Sequence, residues 1–298
     1  MKKSGWVQKL RRHKKKVAGP SFLLPAVLLF CLFSWWPICW SVVISFQHYS
    51  INPNIPTTWA GLENYQFLFD DPNFYTAWKN VLLFVFLALV IGYFIPVMLA
   101  ILINEIRHAQ GLLRLGYYLP AILPVVVISL IWKYLYNPGP GGLFNTILRP
   151  FGIGPVEWFF TDNMAIFAIV IMTTWRGAGS TMIIYLAALQ GIPSQLYEAA
   201  EIDGASIWNR LWHITIPQLL PIMSIILILQ ILNTFKVFTE PFIMTRGKTT
   251  TIMTFIYEKA FHSFNMGVAT AMSMTLFIVL LTLSLVYFYL QKKVLSKF

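Results

Sequence analysis

Side chains able to do chemistry are scarce in this sequence: 298 residues hold 11 Asp and Glu, 5 His and 2 Cys. The densest cluster is "YEAAEIDGASIWNRLWHITIP", residues 197–217, with Glu198, Glu201, Asp203 and Arg210 set among Ala199, Ala200 and Gly204. Asp70 and Asp71 form a second carboxylate pair, but no base, nucleophile or metal ligand stands near them. With Pro72 following, they read as a loop and helix start, because Asp is a good N-cap and Pro is tolerated in the first turn. Cys31 and Cys39 lie eight residues apart in one apolar run, about 12 Å along a helix and too far for a disulfide. No catalytic constellation and no metal site is expected.

Two strings imitate nucleotide-binding motifs. "RGKTTT" at 246–251 contains Gly-Lys-Thr, but a P-loop needs glycine five positions before Gly247, and Phe242 stands there. "RGAGS" at 176–180 offers Gly177 and Gly179, but Met182 occupies the third glycine position of a dinucleotide fingerprint. The chain is therefore not expected to hydrolyse ATP by itself. Gly177, Ala178, Gly179 and Ser180 read first as a small-residue face for helix packing, and second as a cargo contact.

The elements that must position these residues are membrane helices. With 57% hydrophobic and 11% charged residues, the composition lies outside the usual soluble range of about one-quarter charged. Apolar runs of about 20 residues cross a hydrocarbon core. Six such runs are present, near Ser21–Phe46, Val81–Asn104, Tyr117–Tyr136, Met164–Leu189, Ile216–Phe235 and Gly267–Leu290. The expected fold is an all-α integral membrane protein with six transmembrane helices. It divides into a basic cytoplasmic segment at 1–20, a single membrane domain at 21–291 and a short cytoplasmic tail at 292–298. The first run is longer than a signal-peptide core and ends in bulky "SWWPICW", so it reads as an uncleaved span.

Cytoplasmic loops carry the excess of Lys and Arg. Eight basic residues precede Pro20, and Arg107, Arg114, Arg210, Lys292, Lys293 and Lys297 follow on the same side if the N-terminus is inside. Both termini are then cytoplasmic. The net charge of +11 is concentrated in a juxtamembrane tail that suits anionic lipid headgroups, so lipid and not nucleic acid is the expected partner.

Within the spans, Arg176 falls near the middle of the fourth and Lys236 near the outer end of the fifth. A mid-bilayer charge costs several kcal/mol and faces protein, water or a polar partner, which makes Arg176 a cavity or ion-pair candidate. Lys133 is expected to snorkel to the interface. Sugars need hydrogen bonds plus an aromatic face. The candidate pathway residues are accordingly Trp175, Arg176, Ser180, Tyr185, Asn233, Thr234, Lys236 and Phe238.

Residues 190–217 are expected on the cytoplasmic side. Pro193-Ser194 can start a helix and Asp203-Gly204 can end or bend it. A lipid-surface helix would show bulky apolar residues opposite lysines. This one shows alanines and carboxylates, which suit insertion into a cleft of another protein.

Here the sequence resembles a family. Glu198-Ala199-Ala200, three residues, Gly204, nine residues, Ile214, one residue, then Ile216-Pro217 is similar to the EAA loop of permease subunits of binding-protein-dependent ABC importers. The loop spans 194–217, between spans four and five. "GLENYQFLFDDPNF", "YYLPAILP", "LAALQGIPSQLYEAAEIDGA" and "IYEKAFHSFNMGVATAMSM" extend the likeness to the maltose/glycerol-phosphate/multiple-sugar branch and its MalF-like or UgpA-like member. Isoleucine at 216, where the family has leucine, is a mild departure; two larger ones are the absence of the large periplasmic insertion of maltose permease, as in most shorter members, and "TRGKTT" in place of a Gly-Gly-Pro run after span five.

The resemblance implies a second permease subunit, two cytosolic ATPase subunits that hold ATP and Mg, and an extracytoplasmic solute-binding protein. It also implies that Glu198, Ala199, Ala200, Asp203, Gly204, Ile214 and Pro217 couple the chain to an ATPase through a helix pair at 194–214. Two rivals are weighed against it. A secondary transporter or channel would show matching halves or broken helices, and a phosphatidyltransferase-like enzyme would need more aspartates around "DG" than "DGASIWNRLW" supplies.

Overall fold

The computed structural model describes residues 22–295 apart from 50, 51, 53, 107 and 140. The basic segment at 1–20, Arg107 and Lys297 lie outside the described residues. In chain order the elements are α1 (Phe22–Ser45), a two-stranded pair β1 (Gln47–His48) and β2 (Thr58–Trp59), α2 (Glu63–Asp70) and α3 (Pro72–Glu105). Then come α4 (Gln110–Ile122), α5 (Val125–Leu135), α6 (Leu143–Leu148), α7 (Asp162–Gln190), α8 (Ser194–Ile202) and α9 (Ile207–Thr234). The chain continues through α10 (Thr239–Met244), α11 (Ile252–Tyr257) and α12 (Met266–Leu295). Among the described residues, five helices are long and apolar enough to cross a membrane, and six spans result if α4 and α5, bent by 95°, are one broken span.

The bend corrects the third run, read from sequence as one helix over Tyr117–Tyr136. Pro124 has no N–H to give, and a residue before proline is pushed out of the helical region. Leu123 is accordingly extended, with φ −69° and ψ 143°. Apolar composition across the break hid it. Other boundaries move outward. The second span begins at Pro72, where the Asp71 carboxylate accepts a hydrogen bond from the Asn73 N–H at 2.9 Å. The fifth begins at Ile207 and not Ile216. A short helix also starts at Leu143, directly after the glycines and prolines of 138–142.

The chain forms two units. One comprises residues up to Leu68 with Lys259–Thr275. In it, Asn64 donates to the carbonyls of Ser45 (3.0 Å) and Gln47 (2.9 Å), and the Tyr65 hydroxyl donates to Ser45 Oγ (2.9 Å). Any side chain at Gly267 would run into the Gln47 carbonyl. On α2, Leu68 is fully buried while Phe67 stays half exposed beneath the Lys259 ammonium.

The other unit comprises Phe69–Glu258 and the chain from Leu276. Two apolar clusters hold it together. Tyr93, Val97, Met182, Tyr185, Leu219 and Met223 tie α3, α7 and α9 at one end. Phe84, Ile128, Tyr136, Ile166, Met172 and Met244 tie α3, α5, α7 and α10 at the other. Hydrogen bonds from Tyr93 to the Met223 carbonyl (2.8 Å) and from Tyr136 to the Ala168 carbonyl (3.0 Å) fix helix registers within these clusters. Gly179 lets α4 approach α7: a Cβ there would strike the Tyr117 carbonyl and come within 2.9 Å of the Tyr118 nitrogen.

Candidate functional site

Between the two clusters, α3, α7, α9 and α10 enclose a cavity of about 520 Å³. Its wall on α7 carries Thr174, Gly177 and Thr181, spaced three and four residues apart and so on one helix face. A Cβ at Gly177 would meet nothing within 4 Å. The small-residue run therefore divides its work: Gly179 packs, and Gly177 opens the cavity.

On α9 the wall carries Gln230, Asn233 and Thr234, and beyond it Lys236 and Phe238. The Gln230 amide donates to the Ala88 carbonyl at 2.7 Å, where a π-helical turn at Ala88–Gly92 interrupts α3. Such turns loosen the regular ladder and let side chains reach backbone groups. The Phe238 ring stacks on Phe242 and leans on Tyr257, with centroids 5.1 and 5.2 Å away.

Arg176 Nη2 lies 3.1 Å from Glu240 Oε1, with side chains 30% and 9% exposed. Arg176 thus meets both expectations for a mid-span charge, since it lines the cavity and is ion-paired. Its partner Glu240 was not among the residues that the sequence singled out. The signal was the arginine itself, which demands an anion when buried. The Lys133 ammonium donates to the Ile243 carbonyl at 2.7 Å, joining α5 to the C-terminal end of the short helix that carries Glu240.

Five of the eight pathway candidates, Arg176, Asn233, Thr234, Lys236 and Phe238, line this cavity. Three do not. Trp175 packs against Trp132, centroids 5.4 Å apart, and is otherwise exposed. The Ser180 hydroxyl donates back to the Gly177 carbonyl at 2.9 Å. Tyr185 is fully buried in the cluster around Tyr93 and Met182. Thr174, Thr181 and Gln230 were missed, although their helical spacing with Gly177 and Asn233 was legible.

The EAA segment forms a built corner. After α8, Gly204 adopts φ +74°, the left-handed conformation that glycine takes most readily. The Ala205 N–H bonds the Ala200 carbonyl (2.8 Å) and the Gly204 N–H the Glu201 carbonyl (3.0 Å), the pair of bonds that defines a Schellman cap. Ser206 then caps α9 by accepting from the Asn209 N–H at 3.3 Å. Arg210 reaches back to Glu201 at 3.6 Å, and the hydroxyls of Tyr197 and Thr215 lie 3.0 Å apart. Glu198, Ala199 and Asp203 are exposed, Ala200 and Ile214 half-buried, and Pro217 exposed. Neither the Glu198 nor the Asp203 carboxylate makes a hydrogen bond or ion pair among the described residues.

The second helix of the expected pair at 194–214 is not separate. It is the first turns of α9, which continue through a π turn at Leu211–Thr215. That turn absorbs Pro217, whose ring would otherwise clash with the preceding turn.

Comparison with known proteins decides the identity. The profile of the family described as "Binding-protein-dependent transport system inner membrane component" matches residues 92–296. The chain belongs to this family. It is a multi-pass membrane permease subunit, and the EAA loop is typical of its relatives. It is 33% identical to the "Probable ABC transporter permease protein YurN" of Bacillus subtilis (strain 168), over 92% of this chain and 95% of that one. It is 31% identical to the "Arabinooligosaccharides transport system permease protein AraP" of the same organism, over 96% and 91%. Among solved structures, it matches a bacterial ABC transporter involved in the import of the acidic polysaccharide alginate. That match has a TM-score of 0.83, 25% identity, and coverage of 96% of this chain and 99% of that one. Family membership sets aside the readings as a secondary transporter, a channel or a membrane enzyme, even though α4–α5 supplies a broken helix.

Proposed function

We propose that this permease forms half of the translocation pathway for a carbohydrate, a mono- or oligosaccharide or a sugar or glycerol phosphate, delivered by an extracytoplasmic solute-binding protein. It pairs with a second permease subunit and draws work from two cytosolic ATPase subunits, where ATP and Mg are bound. Both termini and the α8 corner face the cytoplasm. The relatives named for arabinooligosaccharide and alginate transport support the cargo class.

One observation carries the mechanism. The 28-residue helix α9 runs without a break in helical structure from Ile207 at the corner to Asn233 and Thr234 in the cavity wall, about 42 Å at 1.5 Å per residue. A push on α8, held to α9 by the Schellman cap, the Glu201–Arg210 pair and the Tyr197–Thr215 contact, moves the cavity wall as one body. Exposed Ile202, Ile207 and Trp208, with Glu198 and Ala199 beside them, supply the face that an ATPase cleft would grip.

The test replaces Gly204 with Leu, whose left-handed backbone costs about 1–2 kcal/mol, and separately Glu198 with Lys. The expected result is loss of ATP-driven uptake together with reduced co-purification of the ATPase. Normal uptake and normal assembly in both variants would sink the docking assignment.

A further inference from the structure

Among the described residues, three ionisable side chains line the cavity: Arg176, Glu240 and Lys236. Two of them cancel. Glu240 is buried on α10 and bonded to Arg176, and the Lys133 bond to the Ile243 carbonyl holds that helix in place. Lys236 is left over. It is exposed to the cavity and has no side-chain partner among the described residues. Its backbone N–H closes the last turn of α9 on the Asn233 carbonyl at 3.1 Å, a helix C-terminal position where a cation is favoured.

The cavity wall contributed by this chain therefore carries one net positive charge. Beside Lys236 stand the uncommitted amide of Asn233 and the supported ring of Phe238. An ammonium on a flexible stem is a compact point charge that suits a carboxylate or phosphate oxygen. The amide can bond a neighbouring hydroxyl, and the ring can cover a sugar face. A neutral cargo would use the last two groups and leave the ammonium without an anion.

We infer that this permease is built for an anionic saccharide, one bearing a carboxylate or phosphate, and that Lys236 is the specificity-determining residue. The inference rests on the carbohydrate reading of the cavity given above. The Arg176–Glu240 pair keeps the arginine from competing for the same anion, so selection falls on a single side chain.

The test uses the complete importer in lipid nanodiscs without its solute-binding protein, so that the receptor's own selectivity does not enter. Binding is measured for trigalacturonate and glucose 6-phosphate against their neutral counterparts, α-1,4-linked galactotriose and glucose. At least one anionic probe is expected to bind about tenfold tighter than its counterpart at ~10 mM ionic strength, and the gap should shrink near ~1 M, where screening shortens the Debye length to about 3 Å. Which probe shows the gap tells carboxylate from phosphate.

Lys236→Gln should close the gap. Lys248→Gln, the same charge change on an exposed residue outside the cavity, should leave it open. Equal binding of neutral and anionic probes, or a preference that survives Lys236→Gln or is lost equally in Lys248→Gln, overturns the anionic inference while the carbohydrate reading stands. Absence of binding by all four probes overturns both.

Discussion

Helices α1 and α7 both have the length and apolarity of a membrane span, yet their side chains are used in opposite ways. None of the most apolar stretch of α1 is buried, whereas 44% of that of α7 is, although α7 is the less apolar of the two. In water the greasier helix would be the more buried one. In a bilayer, lipid tails are as apolar as leucine, so burial follows small size and hydrogen-bonding need instead. Accordingly α1 exposes Phe22, Leu28, Trp35 and Trp36, while α7 buries alanines, Gly179 and Met182 and turns Thr174, Arg176 and Thr181 to the cavity. The polar span is the one that lines the cavity.

The sharpest way to break this contrast is Gly179→Leu. The new side chain meets backbone of α4, at Tyr117 and Tyr118, and not the movable end of a side chain. The helices must separate, at a cost of about 3 kcal/mol or more. The expected outcome is loss of a monodisperse peak in fluorescence-detected size-exclusion chromatography. Leu28→Ala in α1 should change stability by less than about 0.5 kcal/mol, as a surface substitution does. Equal tolerance of both substitutions would remove the distinction between the two spans.

A smaller effect is expected at the ion pair. Glu240→Gln leaves Arg176 without its anion, and removing one partner of a buried pair costs about 3–5 kcal/mol. Because the Arg176 side chain is 30% exposed to the cavity, the loss should fall at or below the lower end, about 2–3 kcal/mol. It should appear as a lower Tm in detergent. The double change Arg176→Met with Glu240→Leu should recover most of that stability, since a buried pair can be replaced by apolar residues at little cost, without recovering uptake. Full recovery of uptake would show the pair to be architectural only.

What the sequence made legible follows the range of each interaction. The apolar runs, the Asp71 cap and the Asp203-Gly204 corner depend on neighbours within a turn, and each was readable. The partner of Arg176 lies 64 residues away, and the acceptor of Lys133 lies 110 residues away. No local pattern encodes such distances. Tyr185 was misplaced for a related reason, because a tyrosine in a span can serve equally as a sugar contact or as core, and only the arrival of Tyr93 and Met223 from other helices decides. The start of α9 was missed because Pro217 reads as a helix boundary until the π turn before it is known. That error mattered, since it severed the corner from the cavity wall that one helix in fact joins.

The one change expected to favour the fold lies two residues from the most damaging one. Gly177→Ala adds a methyl that meets no atom within 4 Å, so packing does not resist it, and relief of a mid-helix glycine favours the folded helix by about 0.8–1.0 kcal/mol. Thermal stability should therefore hold or rise slightly, the reverse of Gly179→Leu. The methyl nevertheless projects into the cavity between Thr174 and Thr181, where cargo hydroxyls would approach both helices. Uptake should fall, and more for an oligosaccharide than for a monosaccharide, because a longer cargo has fewer poses that avoid the new group. A variant with unchanged stability and unchanged uptake would mean that cargo does not touch this face of α7, and the polar stripe would then serve only to hydrate the cavity.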